Sequence, residues 1–222
     1  MVNTSPSISQ KNRWMLMPCI GIVIFISLYL VSTFLYPGGS TYDPATAGFD
    51  WLHNYWCDLT GAVAKNGTPN TARPVALAAM ITLCSSLAVF WFILPTLFQN
   101  KPQYQVIRYT GIPSMVIAVF MFTDYHDTVI HLGGALAGVA LVLTFVGLYQ
   151  HNYYRLFWSG LFCLVLILFN YFIYETGTLL TLLPIVQKIT FGVVAVWVCG
   201  VDIHLYRQSY RASKVTLVHK HG

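Results

Sequence analysis

Six stretches of this chain are each apolar over roughly the 20 residues that carry a helix across a bilayer core, and no other feature constrains its fold so tightly. They fall at residues 14–35, 74–98, 109–123, 128–149, 156–174 and 178–203. The third reaches the required length only by continuing into the residues that follow. Charge is correspondingly scarce: 12 Lys or Arg and 7 Asp or Glu in 222 residues, or 9%, where a soluble domain carries about 25%. A soluble enzyme, a disordered chain and a nucleic-acid-binding domain are excluded on that ground. The expected fold is all-α. It is a polytopic membrane protein of six transmembrane helices in an up-down bundle, one domain over 1–222, with a long outer loop at 36–73 and a tail at 204–222.

The basic residues orient the bundle, because Lys and Arg concentrate on the cytoplasmic side. With the N-terminus inside, Lys11, Arg13, Lys101, Arg108, Arg155, Arg207, Arg211, Lys214 and Lys220 are cytoplasmic. Only Lys65 and Arg73 are outside, and Lys188 lies within the sixth span. The acids do the reverse: Asp43, Asp50, Asp58, Asp124, Asp127 and Glu175 fall outside, and Asp202 alone is at the inner face. The formal charge of +5 is thus mainly topological. Both termini are expected in the cytoplasm, and the protein in an inner or plasma membrane. The first span is too long for the apolar core of a signal peptide and reads as a retained anchor. Cys57 is the only cysteine outside the spans, so the outer loop holds no disulfide framework.

Most connections are tight turns, which join antiparallel neighbours. The outer segment 36–73 is the exception, and a connection of that length usually carries structure or function. Within it, Phe49, Leu52, Trp56 and Leu59 recur at helical spacing. That predicts a short amphipathic helix lying in the interface, with His53 and Cys57 on one face. Gly134 and Gly138 form a small-xxx-small pair that permits close helix contact, here read as packing within the chain.

The most informative string is Thr123-Asp124-Tyr125-His126-Asp127-Thr128-Val129-Ile130-His131. On a helix, Asp124, Asp127 and His131 fall within an arc of about 60°. Two carboxylates and an imidazole on one face suit acid–base work on water. With His53 from the loop, Asp127 and His131 also make a candidate ligand set for a divalent metal such as Zn. The competing reading is that Asp124 or Asp127 caps the fourth helix while His131 bonds a neighbouring one. Asn170, Tyr174 and Glu175 supply polar groups at the outer end of the fifth span. Lys188, if deep, needs an anion, and Asp124 or Asp127 is the nearest by topology. His204 and Asp202 stand a bilayer away from His131, roughly 30 Å, and cannot share a metal or haem with it.

The six spans, the Pro37-Gly38 turn after the first, and the aromatic, acidic outer segment ending Trp56-Cys57-Asp58-Leu59 resemble bacterial six-span integral membrane proteins of unknown function. That resemblance implies the architecture and no reaction. More distantly, the chain is similar to the transmembrane hydrolases that include alkaline ceramidases and adiponectin receptors, which hold a metal near one membrane face with Asp and three His. The His-x-x-x-His of that family is absent here, so none of its catalytic residues is carried over.

The leading expectation is a membrane-embedded hydrolase acting on a lipid or lipid-linked substrate at Asp124, Asp127 and His131. The alternatives are a small-solute or ion binder or transporter, and a structural or assembly subunit. The bilayer and a lipid or small-molecule substrate are the expected partners, and nucleic acid is not.

Overall fold

Inside a bilayer a backbone must satisfy its own N–H and C=O groups, and an apolar segment does so as a helix. The structure, a computed structural model, describes residues 13–123 and 126–221. Among the described residues six α-helices follow the six apolar stretches: α1 Met17–Leu35, α2 Arg73–Ile93, α3 Pro102–Ala118, α4 His126–Gln150, α5 Tyr154–Thr176 and α6 Leu183–His221. Proline stands in the first turn of α1, α2 and α3, where its missing N–H costs nothing. Among the described residues there is no β-strand, only the isolated bridges Gly38–Ala47 and Val63–Pro69.

Among the described residues five segments are long and apolar enough to cross a membrane: Arg13–Leu35, Arg73–Phe98, Asp127–Gln150, Tyr154–Thr176 and Leu180–Arg211. The chain is therefore built for membrane insertion. α3 differs. It has 17 residues, starts earlier than the apolar pattern alone indicates, and continues as a 3-10 turn through Val119–Phe122. Its first two turns are polar, with Arg108 bonded back to Phe92 O and Asn100. α6 also departs from expectation. It runs for 39 residues, so residues expected as a separate tail continue the helix.

Successive helices pack on one another, and α6 returns to α1. The contact between α4 and α5 is sparser than that of the other sequential pairs. Close approach depends on small residues: a Cβ on Gly160 of α5 would collide with the rings of Phe145 on α4 and Trp197 on α6. Trp197 Nε1 donates to Leu156 O at 2.9 Å there. A Cβ on Gly134 or Gly138, in contrast, would meet nothing within 4 Å among the described residues, so no packing of the small-xxx-small pair is seen between them. Gly133 is the one that faces α3, through Ser114 and Ile117.

Residues 36–72 fold as a cap over one end of the bundle, called the cap end. The amphipathic helix expected across Phe49–Leu59 does not form. The segment is a series of turns followed by a 3-10 turn, Trp56–Thr60. The physical reason is Asn54, which is fully buried. Its Oδ1 accepts from Asp50 N at 2.8 Å, and its Nδ2 donates to Gly39 O at 2.9 Å and Asp58 Oδ2 at 3.0 Å. A side chain that answers local backbone groups competes with the helix. Gly39 has φ +82° and lies against the Lys65–Asn66 backbone, where a Cβ would clash. Asn70 closes the cap, its Nδ2 reaching Asp58 O, Leu59 O and Gly61 O at 2.9 to 3.1 Å.

Candidate functional site

The cap is held to α6 by two residues one turn into the apolar stretch. Gln187 Oε1 accepts from Trp56 N at 3.1 Å. Lys188 Nζ donates to Asn54 O at 2.6 Å and Pro184 O at 3.0 Å, and sits 5.6 Å from the centroid of the Phe49 ring. Its electrostatic partners are Asp58 and Asp50, both on the cap. The expected pairing of Lys188 with Asp127 is thus replaced by a dock onto the cap. Asp124 lies outside the described residues. Trp56 completes the dock, stacked on Phe191 of α6 (5.5 Å, 5°) and Tyr29 of α1 (4.6 Å, 20°).

On the cap surface, His53 Nδ1 lies 2.7 Å from Asp50 Oδ2, and Tyr42 packs edge-on to the imidazole. Burial pushes the Asp50 carboxyl up, but the hydrogen bonds from the His53 ring and from the N–H groups of Leu52 and His53 outweigh it and hold the pKa below the usual value. Asp50 accepting at Nδ1 leaves Nε2 as the imidazole's basic nitrogen.

Cys57 does not share a helix face with His53, because no helix forms there. Part of its surface is open. Crowding by protein on the other sides, and then the Asp58 charge, push its thiol up to about 11. A neutral thiol is a poor nucleophile. Alkylation at pH 7.5 is expected to be roughly a hundredfold slower than at an ordinary cysteine, given that the rate follows the thiolate fraction. It should rise about tenfold per pH unit until near pH 11. A rate that levels off below pH 9 in a kinetic alkylation profile would contradict this environment for Cys57.

The second polar group sits where α4 and α5 meet at the cap end. Asp127, in the first turn of α4, accepts from the Tyr174 hydroxyl at 2.8 Å. One turn further along, His131 packs edge-on to Tyr171, with ring centroids 6.3 Å apart and planes at 87°. The two pairs run in antiparallel register: four residues along α4 match three residues back along α5. Glu175 lies beside the Tyr171 hydroxyl. All four side chains are exposed on the protein surface, Tyr171 at 41% and Tyr174 at 43%. The cap comes within electrostatic range of this group at Cys57, near Tyr174.

Asp127 and His131 are thus brought together on one face, as their spacing implies. His53 is committed to Asp50 on the cap. Among the described residues no three His, Cys, Asp or Glu form a group able to hold a metal. Comparison with family models, with curated proteins and with solved structures finds no match. The site has to be read from its own chemistry.

That chemistry has one imidazole, at least one carboxylate and two phenols. Tyr174 was legible as a polar neighbour of the site, by its place at the end of the fifth stretch. The role of Tyr171 was hidden among the aromatics of an apolar helix, and only its position three residues before Tyr174, on the same helix face, signals it. At the opposite end of the bundle, Asp202 is fully buried on α6, with Cys19 Sγ 3.5 Å from Oδ2. It belongs to a separate environment from the cap-end group.

Proposed function

We propose that the protein is a six-span integral membrane protein of an inner or plasma membrane, with both termini cytoplasmic and the cap outside. We further propose that the outer ends of α4 and α5 receive the polar end of an amphiphile, and that the reaction there is hydrolysis of a lipid or lipid-linked substrate. The observation that carries the reading is the double row Asp127–Tyr174 and His131–Tyr171 on two helices that pack sparsely. Ionisable groups within spans are costly and serve function by default. Sparse packing between these helices leaves a lateral way in from the bilayer. The six-span arrangement is supported by α3, which packs on both α2 and α4 and reaches Phe122 through its 3-10 extension.

In this reading His131 takes a proton from water as general base. Tyr174 gives its hydroxyl proton to Asp127, which fixes the phenol and leaves its oxygen to accept a hydrogen bond from the polar end of the substrate. Each role requires only reach of the substrate's polar end. Proteoliposomes made with a total lipid extract, followed by lipid mass spectrometry, test it. Wild-type protein should generate a hydrolysed lipid, and His131→Ala should reduce its rate about a hundredfold or more. A lipid profile identical to that of protein-free vesicles would remove the enzymatic reading.

A specific feature favours a second reading, non-catalytic binding. Tyr171 and Tyr174 beside Asp127 and Glu175 make an acidic aromatic face, which suits a cationic headgroup. In that case the same vesicles would show selective enrichment of a cationic lipid on the purified protein, without turnover.

A further inference from the structure

At the tail end of the bundle, opposite the cap, a cavity of about 590 Å³ opens between the start of α5 and the last turns of the α6 span. Its polar lining is Asn152, Tyr153, Tyr154, Arg155, His204 and Arg207. Among the described residues no acidic side chain lines it. The carboxylate closest in sequence, Asp202, is buried and faces Cys19 on α1. Neither Arg155 nor Arg207 forms an ion pair with a described residue, and both are exposed. Two guanidiniums line one concavity with no counter-charge among the described residues.

Two further features fit the same anion. α5 begins at this cavity, and Tyr153 provides no side-chain cap, so the first N–H groups of α5 point their dipole toward it. Tyr153 is held in place rather than free to fill the space: its ring packs edge-on to His204 at 5.0 Å, and Gln208 donates to its hydroxyl at 3.3 Å. The cavity also has an apolar wall, with Leu156 and Ile203. Trp158, 62% exposed one turn along α5, stands at the height where tryptophan marks a headgroup layer.

The geometry points to a binding site for the phosphoryl headgroup of an anionic membrane phospholipid, seated between Arg155 and Arg207 with its acyl chains along Ile203 and Trp158. The guanidiniums make paired charge-assisted hydrogen bonds to phosphate oxygens. The apolar wall and the interfacial tryptophan favour a lipid over a free phosphate. The site is independent of the polar group at the cap end.

Native mass spectrometry of the full chain, delipidated in detergent and titrated with phosphatidylglycerol, phosphatidylcholine or inorganic phosphate, tests it. Phosphatidylglycerol should bind with one-to-one stoichiometry and more tightly than phosphatidylcholine. Arg155→Gln and Arg207→Gln should each weaken it about fivefold, as expected for one basic contact near a membrane surface. Arg211→Gln removes the same charge from the same helix outside the cavity, one turn beyond Arg207 and within electrostatic range of His204, and should weaken binding less than Arg207→Gln does. Circular dichroism on each variant confirms that the bundle is intact, and the exposed position of both arginines makes that the expected result. Equal effects of Arg211→Gln and Arg207→Gln would mean a diffuse basic surface and overturn the site. So would equal affinity for phosphatidylcholine, or displacement of the lipid by inorganic phosphate at matched concentration.

Discussion

Asn54→Ala is expected to release the cap. The substitution deletes three hydrogen bonds, two of them buried, and leaves Asp50 N, Gly39 O and Asp58 Oδ2 without that partner. At about 1 kcal/mol per bond, and more where a buried group is stranded, the loss is about 3 kcal/mol. It falls on the cap rather than on the helices, because Asn54 ties the start of the cap at Gly39 to its middle at Asp50 and Asp58 and its own carbonyl receives Lys188. Limited proteolysis in detergent should therefore cut between residues 36 and 72 at least tenfold faster in the variant. Helix content by circular dichroism should be unchanged. Loss of the whole helical signal would mean that the cap is a folding requirement of the bundle, and an unchanged digestion rate would mean that Asn54 does not organise it.

Trp56→Ala should be of similar size but act on the dock. The indole stacks on Tyr29 and Phe191 and contacts Phe25, so the variant loses burial and three ring contacts, about 3 kcal/mol in all. Trp56→Phe separates the causes. It keeps an aromatic ring in the stack and removes Nε1, which is buried without a hydrogen-bond partner among the described residues. The expected order of thermal midpoints in detergent is therefore wild type close to Trp56→Phe, with Trp56→Ala well below. If the phenylalanine variant fell as far as the alanine variant, a contact made by the indole nitrogen would be the stabilising element and the stacking account would be wrong.

How far the sequence carries is shown by these same residues. Helix positions were legible because apolar length and helix formation are one constraint inside a bilayer, and α1, α2, α4 and α5 begin and end within a few residues of the apolar limits. α3 and α6 were less so. Polar helical turns leave no hydropathy signal, and both helices extend through such turns. The cap defeated periodicity. Phe49, Trp56 and Leu59 do face the core, which is why they mimic a helical stripe. What decides the backbone is a single Asn whose amide answers Asp50, Gly39 and Asp58 together, and no local pattern encodes Gly39, 15 positions away. The pairing of Asp127 and His131 was readable from spacing on one helix. Their partners Tyr174 and Tyr171 come from the facing helix, so they depend on the relative placement of α4 and α5. Lys188 shows the same limit in reverse: its need for a polar partner was plain, and the partner turned out to be a cap carbonyl rather than a carboxylate on α4.

The placement of the bundle in the membrane underlies the proposals for both ends, and it turns on whether α3 crosses. Single cysteines introduced in a cysteine-free background, Asn66→Cys in the cap and Gln208→Cys past the end of the sixth apolar stretch at 203, and labelled with a membrane-impermeant maleimide, measure this directly. Six crossings predict that Asn66→Cys reacts in intact cells and that Gln208→Cys reacts only after the membrane is permeabilised. Labelling of both positions in intact cells would mean that five helices cross. The C-terminal end of α6 would then lie on the same side as the cap, contradicting the six-span arrangement on which the outer site is placed.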